Sequence, residues 1–427
     1  MMRRIAIALA ALCASHILLT AQPAQHLTLA EARRLALANN PRLSAAKLTA
    51  AAAYQVPQQY RANLAPTMYS SLTGVGADSG SRLAAGGLNN PVVYSRFGSG
   101  LTVSQLVTDF GRTGNLIGMA KLQAEAQNQA AQTTRADILL ATDRAYFEVL
   151  LAEAVLKVAE QTVASRQLVA DQAAALAESK LKSMLDVSFA KVNLADAKLL
   201  LAKAQNDVKA AQAELATAMG LPRENAFALA EEPMPEPLPD RIDAVIAEAL
   251  NNRPDLKDRR LEQSAADRFA KAEHALYYPT VGILGTAGFV PTGQEAVPGR
   301  YGAIGLNVTI PIFNGGLFKA RQAEAELKAQ AAARDVNSVE NQIVRDVKVA
   351  YLNAQTAAER VSLTEQLLNQ AKLSLDLAQS RYDLGLSSMV ELSQAQLNFT
   401  SAQIANASAR YEYQDRRAVL TYQTGGY

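Results

Sequence analysis

Two long runs without glycine or proline restrict this chain to folds that contain very long helices. Residues 119–219 and 317–384 contain neither residue. An α-helix rises about 1.5 Å per residue, so a helix of the second run's length would measure roughly 100 Å, whereas globular helices average about a dozen residues. Largely apolar residues, most often alanine, recur alternately four and three positions apart from Ile343 to Tyr382. This heptad pattern predicts closely packed coiled coils.

The sequence also contains an internal duplication, which is typical of proteins built from repeated units. Pro66 corresponds to Pro279 at a separation of 213 positions, and Gly111 corresponds to Gly316 at a separation of 205. The difference places eight additional residues in the first copy between Pro66 and Gly111. The Gly-, Ser- and Asn-rich stretch 77–90 lies in that interval and predicts an enlarged loop.

The duplication predicts two structural repeats, at 22–220 and 241–427, joined by an extended Pro-rich linker at 221–240. Each repeat is predicted to contain short helices, two strands, a long helix and a second helix after a turn. The predicted strands are about 67–76, 96–107, 280–290 and 301–311, and the predicted long helices are about 112–179 and 317–384.

The predicted strands have one apolar face. Ile304, Leu306 and Val308 alternate with small or polar residues, which is typical of outer-membrane barrel strands. Four strands are too few to close a barrel, and an open edge in lipid costs several kcal/mol per unpaired backbone group. A membrane barrel therefore requires further copies of the chain, eight strands from a dimer or twelve from a trimer. A small soluble four-stranded sheet is the alternative.

The first residues resemble a signal peptide. Arg3 and Arg4 precede an apolar stretch at 5–19, and cleavage is expected near Ala21, so 1–21 is predicted to be removed on export. An uncleaved membrane anchor and lipid attachment at Cys13 are the alternatives. The later sequence contains no apolar run of about 20 residues, so any membrane span is expected to come from strands.

Composition argues against several functions. The 42 basic and 40 acidic residues give a formal charge of +2. This near balance argues against nucleic-acid binding, which needs clustered basic residues. Cys13 is the only cysteine, and only His26 and His274 follow the predicted leader. We therefore expect no metal site, no cofactor and no enzymatic activity.

Three motifs in this order resemble the TolC-type outer membrane factor family: Leu106–Arg112 (LVTDFGR), Pro311–Gly316 (PIFNGG) and Arg381–Leu386 (RYDLGL). The resemblance covers nearly all of the chain after the leader. It implies a mainly α-helical homotrimer with a 12-stranded β-barrel in the outer membrane and a 12-helix periplasmic tunnel. It also implies a passive exit duct that contacts outer-membrane lipid and meets an inner-membrane pump through a periplasmic adaptor protein.

The resemblance also implies roles for particular residues. Asp186 and Tyr382 are predicted to hold the periplasmic entrance shut through a hydrogen bond, and Glu391 is predicted to form a lumenal ring that attracts cations. The turns that would contact the adaptor are Lys180, Leu181, Lys182, Ser183, Gly385, Leu386, Ser387 and Ser388. Two positions depart from the family pattern, since Lys180 replaces a usual glycine and Ser387 replaces a basic residue of some members.

Two alternatives to an efflux duct stay open. The same architecture would serve as the outer-membrane component of a type I protein secretion system. A protein of another class, a non-conducting coiled-coil scaffold of the cell envelope, would also contain long heptad helices.

Overall fold

The computed structural model describes residues 27–78, 95–180, 182–222, 227–239, 241–291 and 299–427. The predicted signal peptide at 1–21, the predicted turn residue Leu181 and most of the predicted enlarged loop lie outside the described residues.

The described chain is mainly helical, with two strand pairs. The helices are α1 (Leu29–Asn39), α2 (Pro41–Ala53), α3 (Val56–Ala62), α4 (Arg112–Glu178), α5 (Met184–Ala218), α6 (Ile242–Asn252), α7 (Pro254–His274), α8 (Leu317–Asp383) and α9 (Met389–Gln423). The strands are β1 (Thr67–Val75), β2 (Arg96–Thr108), β3 (Thr280–Phe289) and β4 (Arg300–Thr309). The last strand ends before the predicted residue 311, because Pro311 has no N–H to donate to a neighbouring strand.

The long helices have the same length in both repeats. The helices α4 and α8 each contain 67 residues, and α5 and α9 each contain 35. No helix among the described residues is both long enough and apolar enough to cross a membrane.

The four strands form one antiparallel sheet in the order β1-β2-β3-β4. Residues paired across neighbouring strands lie on the same face of a sheet. The pairing therefore separates two faces. The apolar face includes Met68, Leu72, Phe97, Leu101, Val103, Ile283, Phe289, Ile304, Leu306 and Val308. The polar face includes Thr67, Tyr69, Ser71, Gly100, Thr102, Ser104, Thr286, Gly288, Tyr301, Asn307 and Thr309.

The chain divides into two compact units. One unit contains Arg135–Ile242 and Val347–Tyr427 with the start of the chain up to Pro41, and the other contains Arg42–Thr134 and Asp243–Asp346. The sheet lies in the second unit, and the turns after α4 and α8 lie in the first. Each repeat therefore contributes to both units.

Two tyrosines at corresponding positions hold extended segments of the first unit. The buried Tyr146 hydroxyl lies 2.8 Å from the carbonyl oxygen of Leu27 and 2.6 Å from that of Ala230, so it donates to either. Its counterpart 205 positions later, Tyr351, donates to the carbonyl oxygen of Pro239 at 2.6 Å. Linker carbonyl groups that have no strand partner thereby gain a donor.

Left-handed backbone conformations also recur at a separation of 205 positions. The pairs, with their φ angles, are Phe110 (54°) with Gly315 (63°), Gly111 (92°) with Gly316 (84°), Lys180 (58°) with Gly385 (73°) and Gly220 (71°) with Gly425 (75°). Side chains with a Cβ are strained in this region, whereas glycine is not. The first repeat therefore retains the turn geometry of the second at Phe110 and Lys180 without its glycines.

Candidate functional site

The turns after α4 and α8 pack on one hydrophobic cluster, which we call the turn cluster. It consists of Val169, Ala170, Ala173, Val187, Ala190, Ala378, Tyr382, Met389, Leu392 and Ala395. Both repeats contribute to it. Tyr382, one of the predicted gate residues, is 5% exposed, so its ring is part of the cluster rather than of the surface.

Each turn is built by a left-handed residue followed by a serine N-cap. At the second turn, Gly385 N donates to Tyr382 O at 3.0 Å and Leu386 N donates to Arg381 O at 2.7 Å, which satisfies the last carbonyl groups of α8. Ser388 Oγ then accepts from Glu391 N at 3.3 Å and begins α9.

In the first turn, the acidic residue Asp186 caps the helix to which it belongs. Asp186 N donates to Ser183 Oγ at 3.2 Å, and the Asp186 carboxylate accepts from Ser183 N at 3.2 Å and from Ser183 Oγ at 2.9 Å. This is a capping box, which satisfies free donors at the start of α5. The carboxylate is thus held over its own helix terminus.

The predicted hydrogen bond between Asp186 and Tyr382 is absent from the described residues. The Tyr382 hydroxyl is buried and has no hydrogen-bond partner among them. Burial raises the pKa of Tyr382, and the negative charges of Asp186 and Asp383 raise it further. Asp186 therefore acts on Tyr382 through its charge, while the capping box holds one of its carboxylate oxygens, Oδ2.

Lys182 makes the contact that links the two turns. Its Nζ lies 4.2 Å from the centroid of the Tyr382 ring, which is a cation–π distance. The sequence predicted Lys182 only as an adaptor contact. No local signal identifies this pair, because the two residues are 200 positions apart in the chain.

Glu391 pairs with a cation of the preceding helix. Arg381 Nε lies 3.4 Å from Glu391 Oε1, and Arg381 Nη2 lies 3.5 Å from Leu386 O. Arg381 therefore supplies a positive charge at this turn, where Ser387 replaces the basic residue of some family members. A neighbouring guanidinium also compensates the Glu391 carboxylate, which reduces its expected attraction for cations.

A polar layer lies further along the same helices, around a cavity of about 320 Å³. Arg166 is 7% exposed and donates to Gln396, and Asn193 donates to Ser393 at 2.7 Å. Burial lowers the pKa of Arg166, and the charge of Asp196 partly opposes this. The layer interrupts the alanine seam, which the sequence pattern did not predict.

The strained first turn gives a direct stability test. We expect Lys180→Gly to stabilise the chain by about 1 kcal/mol, because left-handed strain of about 1–2 kcal/mol is removed at a smaller entropic cost. The reverse change at the matched position, Gly385→Lys, should destabilise it by a similar amount. Denaturant midpoints in detergent measure both, and a Lys180→Gly variant no more stable than the original chain would contradict the expectation.

Where the structure describes the chain, no group of three or more His, Cys, Asp or Glu side chains is placed to hold a metal ion. The site is therefore defined by packing, caps and ion pairs.

Comparison with known proteins gives one family. A family model described as "Outer membrane efflux protein" matches residues 32–221 and 245–426. The chain is 24% identical over 402 residues to outer membrane protein TolC of Salmonella enteritidis, covering 91% of this chain and 79% of that protein. It is 26% identical over 416 residues to cation efflux system protein CusC of Escherichia coli K12, covering 92% and 85%.

Solved structures share the fold. A membrane protein from Pseudomonas aeruginosa superimposes with a TM-score of 0.80 and 23% identity, covering 93% of both chains. The open state of the Neisseria gonorrhoeae MtrE outer membrane channel gives a TM-score of 0.78 and 23% identity, covering 93% of this chain and 88% of that one. The predicted fold class, mainly helical with two strand hairpins, is thereby confirmed.

Proposed function

The chain belongs to the outer membrane efflux protein family, and from this premise we propose that it is the exit duct of a tripartite efflux system. In this role it passes substrates from an inner-membrane pump and a periplasmic adaptor across the outer membrane. Its relatives are outer-membrane efflux channels, so it is an outer-membrane transport protein.

The sheet is the observation that carries the proposal. It has one apolar and one polar face, and β1 and β4 are its outer strands. Unpaired strand edges are costly in lipid, so the apolar face can meet lipid only when both edges are paired. Three copies supply twelve strands, in accord with the family resemblance, and the polar faces then line the lumen.

The proposed organisation keeps the two repeats at 22–220 and 241–427, with the linker between them. The two segments that match the family model, 32–221 and 245–426, support this division. Removal of 1–21 on export belongs to the same proposal.

Reconstitution tests the duct. The protein purified in detergent should have the mass of a trimer and should give discrete conductance steps in planar lipid bilayers. A non-conducting scaffold would give no steps. A water-soluble monomer without detergent would contradict the membrane assignment.

Partner identity distinguishes efflux from secretion. We propose that the described turn residues contact the adaptor, because both turns pack on the turn cluster and the second exposes Leu384 and Leu386. Crosslinking in native envelopes and mass spectrometry of the captured complex should identify an adaptor and a pump. A complex that contains a type I secretion apparatus would support the alternative.

We propose that the Lys182–Tyr382 contact and the Arg381–Glu391 pair help to keep the entrance closed. The contacts join the two turns and the two helices of the second repeat, respectively. Opening that separates these elements breaks both. Asp186 contributes by capping α5 and by its charge near Tyr382.

The cation–π contact predicts a pattern of conductance among variants. Losing about 0.5–1 kcal/mol of closing energy shifts the equilibrium toward the open state about two- to fivefold, so Lys182→Ala and Tyr382→Leu should raise conductance. Tyr382→Phe is the matched control, since it keeps the ring and removes only a hydroxyl that has no partner among the described residues. If Tyr382→Phe and Tyr382→Leu change the conductance equally in bilayer recordings, the Tyr382 ring does not help to close the entrance.

A further inference from the structure

Tyr301 lies across the polar face of the sheet in a row of paired residues. It pairs with Gly288, Gly288 pairs with Gly100, and Gly100 pairs with Ser71, so the row crosses all four strands. Cβ atoms added at Gly288 and Gly100 would overlap the ring and the hydroxyl of Tyr301, respectively. The phenol ring therefore rests directly on the backbone of the two neighbouring strands.

The glycines explain why the ring can lie flat. Any side chain at Gly288 or Gly100 would push it away from the sheet. One side of the ring contacts the backbone, and the other is open, since Tyr301 is 47% exposed. The open side presents a flat aromatic surface whose face is electron-rich.

The wall between Tyr301 and the helical end of the sheet adds no charge. From the row of Tyr301 to the helical end of the described strands, the polar face contains no Asp, Glu, Lys, Arg or His. Hydroxyl groups, glycines and a single amide, Asn307, dominate it. Charge repulsion from this wall therefore opposes neither cationic nor neutral solutes, and aromatic stacking is the strongest contact that the Tyr301 row can offer.

We propose that the Tyr301 ring on its glycine shelf is a lumenal contact site for planar aromatic solutes, neutral or cationic. The inference rests on the proposed function, because the polar face lines a lumen only in the assembled channel. Tyr301 is the second residue of β4, so the site lies near the end of the sheet that is remote from the long helices. Solutes then meet it late in their passage.

Ethidium, a planar aromatic cation, is the probe. With single channels in planar bilayers, ethidium should interrupt the current, and Tyr301→Leu should weaken this block about tenfold, the scale of losing one aromatic stacking contact. Tyr301→Phe should retain the block. Phe97→Leu is the control, because Phe97 is an aromatic strand residue on the apolar face. Tetraethylammonium has the same charge as ethidium but no planar ring, so its block of the current should be the same in all variants.

Gly288→Ala tests the shelf independently of any ligand. The added methyl group should lift the ring into the lumen and lower the open-channel conductance, and Gly288→Ala with Tyr301→Leu should restore it. Gly288→Ala alone still tests the shelf if variants that contain Tyr301→Leu fail to insert.

The outcomes separate this inference from the proposed function. A conducting channel whose ethidium block is unchanged in Tyr301→Leu overturns the contact site and leaves the duct intact. Unchanged conductance in Gly288→Ala overturns the shelf in the same way. A wild-type protein that never conducts overturns the proposed function and the contact site together.

Discussion

Gly220→Ala is expected to destabilise the chain by about 2–5 kcal/mol, because left-handed strain and overpacking add at this position. Gly220 has φ +71°, and an added Cβ would lie 2.8 Å from the N and Cα atoms of Asn40 and 2.9 Å from the carbonyl carbon of Asn39. All three are backbone atoms of the junction between α1 and α2, so no side-chain rotation relieves the overlap.

The junction cannot easily move away. Asn40 Nδ2 donates to Ala218 O at 3.2 Å, and Leu221 N donates to Ala216 O at 2.9 Å, which closes the end of α5. Moving the backbone of Asn40 would loosen the first of these bonds. The strain therefore stays in the folded state and appears as lost stability.

Gly385→Ala is the matched control for this prediction. Gly385 has φ +73°, but an added Cβ would find no atom within 4 Å, so only the left-handed strain of about 1–2 kcal/mol is expected. Guanidinium unfolding of the full-length protein in detergent compares the two midpoints. If the two alanine variants lose equal stability, close packing at Gly220 contributes nothing.

The fold class could be predicted from the sequence because it depends on local periodicity. Heptad spacing specifies long paired helices, and period-two alternation specifies strands with two distinct faces. These signals are local, so a single sequence contains them in full. The strand boundaries were predicted less well, since β4 ends at Thr309 and not at the predicted residue 311, where Pro311 has no N–H to donate.

Contacts between distant residues could not be predicted in this way. A heptad seam states that a helix has a neighbour but not which helix it is. Arg166 and Gln396 are 230 positions apart, and Lys182 and Tyr382 are 200 apart, so each pair depends on the helix arrangement. The family resemblance selected Asp186 and Tyr382 as a bonded pair, whereas the Asp186 carboxylate bonds locally, accepting through Oδ2 from Ser183.

Differences between the repeats concentrate at the turns. The counterparts of Arg381 and Tyr382 in the first repeat are Leu176 and Ala177, and the counterpart of Lys182 in the second is Ser387. The counterparts of the Lys182–Tyr382 and Arg381–Glu391 contacts in the opposite repeats therefore cannot form. The shared turn geometry therefore gives two similar helix pairs, and the divergent side chains decide how the first turn meets the second.

Arg33→Met should also lower stability strongly, by about 2–4 kcal/mol, because it leaves a buried carboxylate without its cation. Arg33 Nε and Nη2 donate to the two Asp143 oxygens at 2.7 and 2.6 Å, and Asp143 is 0% exposed. The Asp143 hydrogen bond raises the pKa of Arg33 more than burial lowers it. The pair therefore joins α1 to α4 through a charge-assisted fork.

Two features keep the expected loss below that of a fully buried pair. The Arg33 side chain is 38% exposed, so water screens part of the interaction. The Tyr427 hydroxyl also donates to Asp143 and continues to do so after Arg33 is removed. Burial and the negative charge of Asp143 raise the pKa of Tyr427, so this donor stays protonated across the neutral range.

Arg144, which follows Asp143 in the sequence, supplies the control for Arg33→Met. Arg144 pairs with Asp415 at 3.2 Å, but its side chain is 50% exposed, so Arg144→Met should cost less than about 1 kcal/mol. Denaturant unfolding in detergent should therefore show a loss of stability that is several-fold larger for Arg33→Met than for Arg144→Met. If the two variants lose the same amount of stability, the buried Arg33–Asp143 pair contributes no more than the exposed Arg144–Asp415 pair.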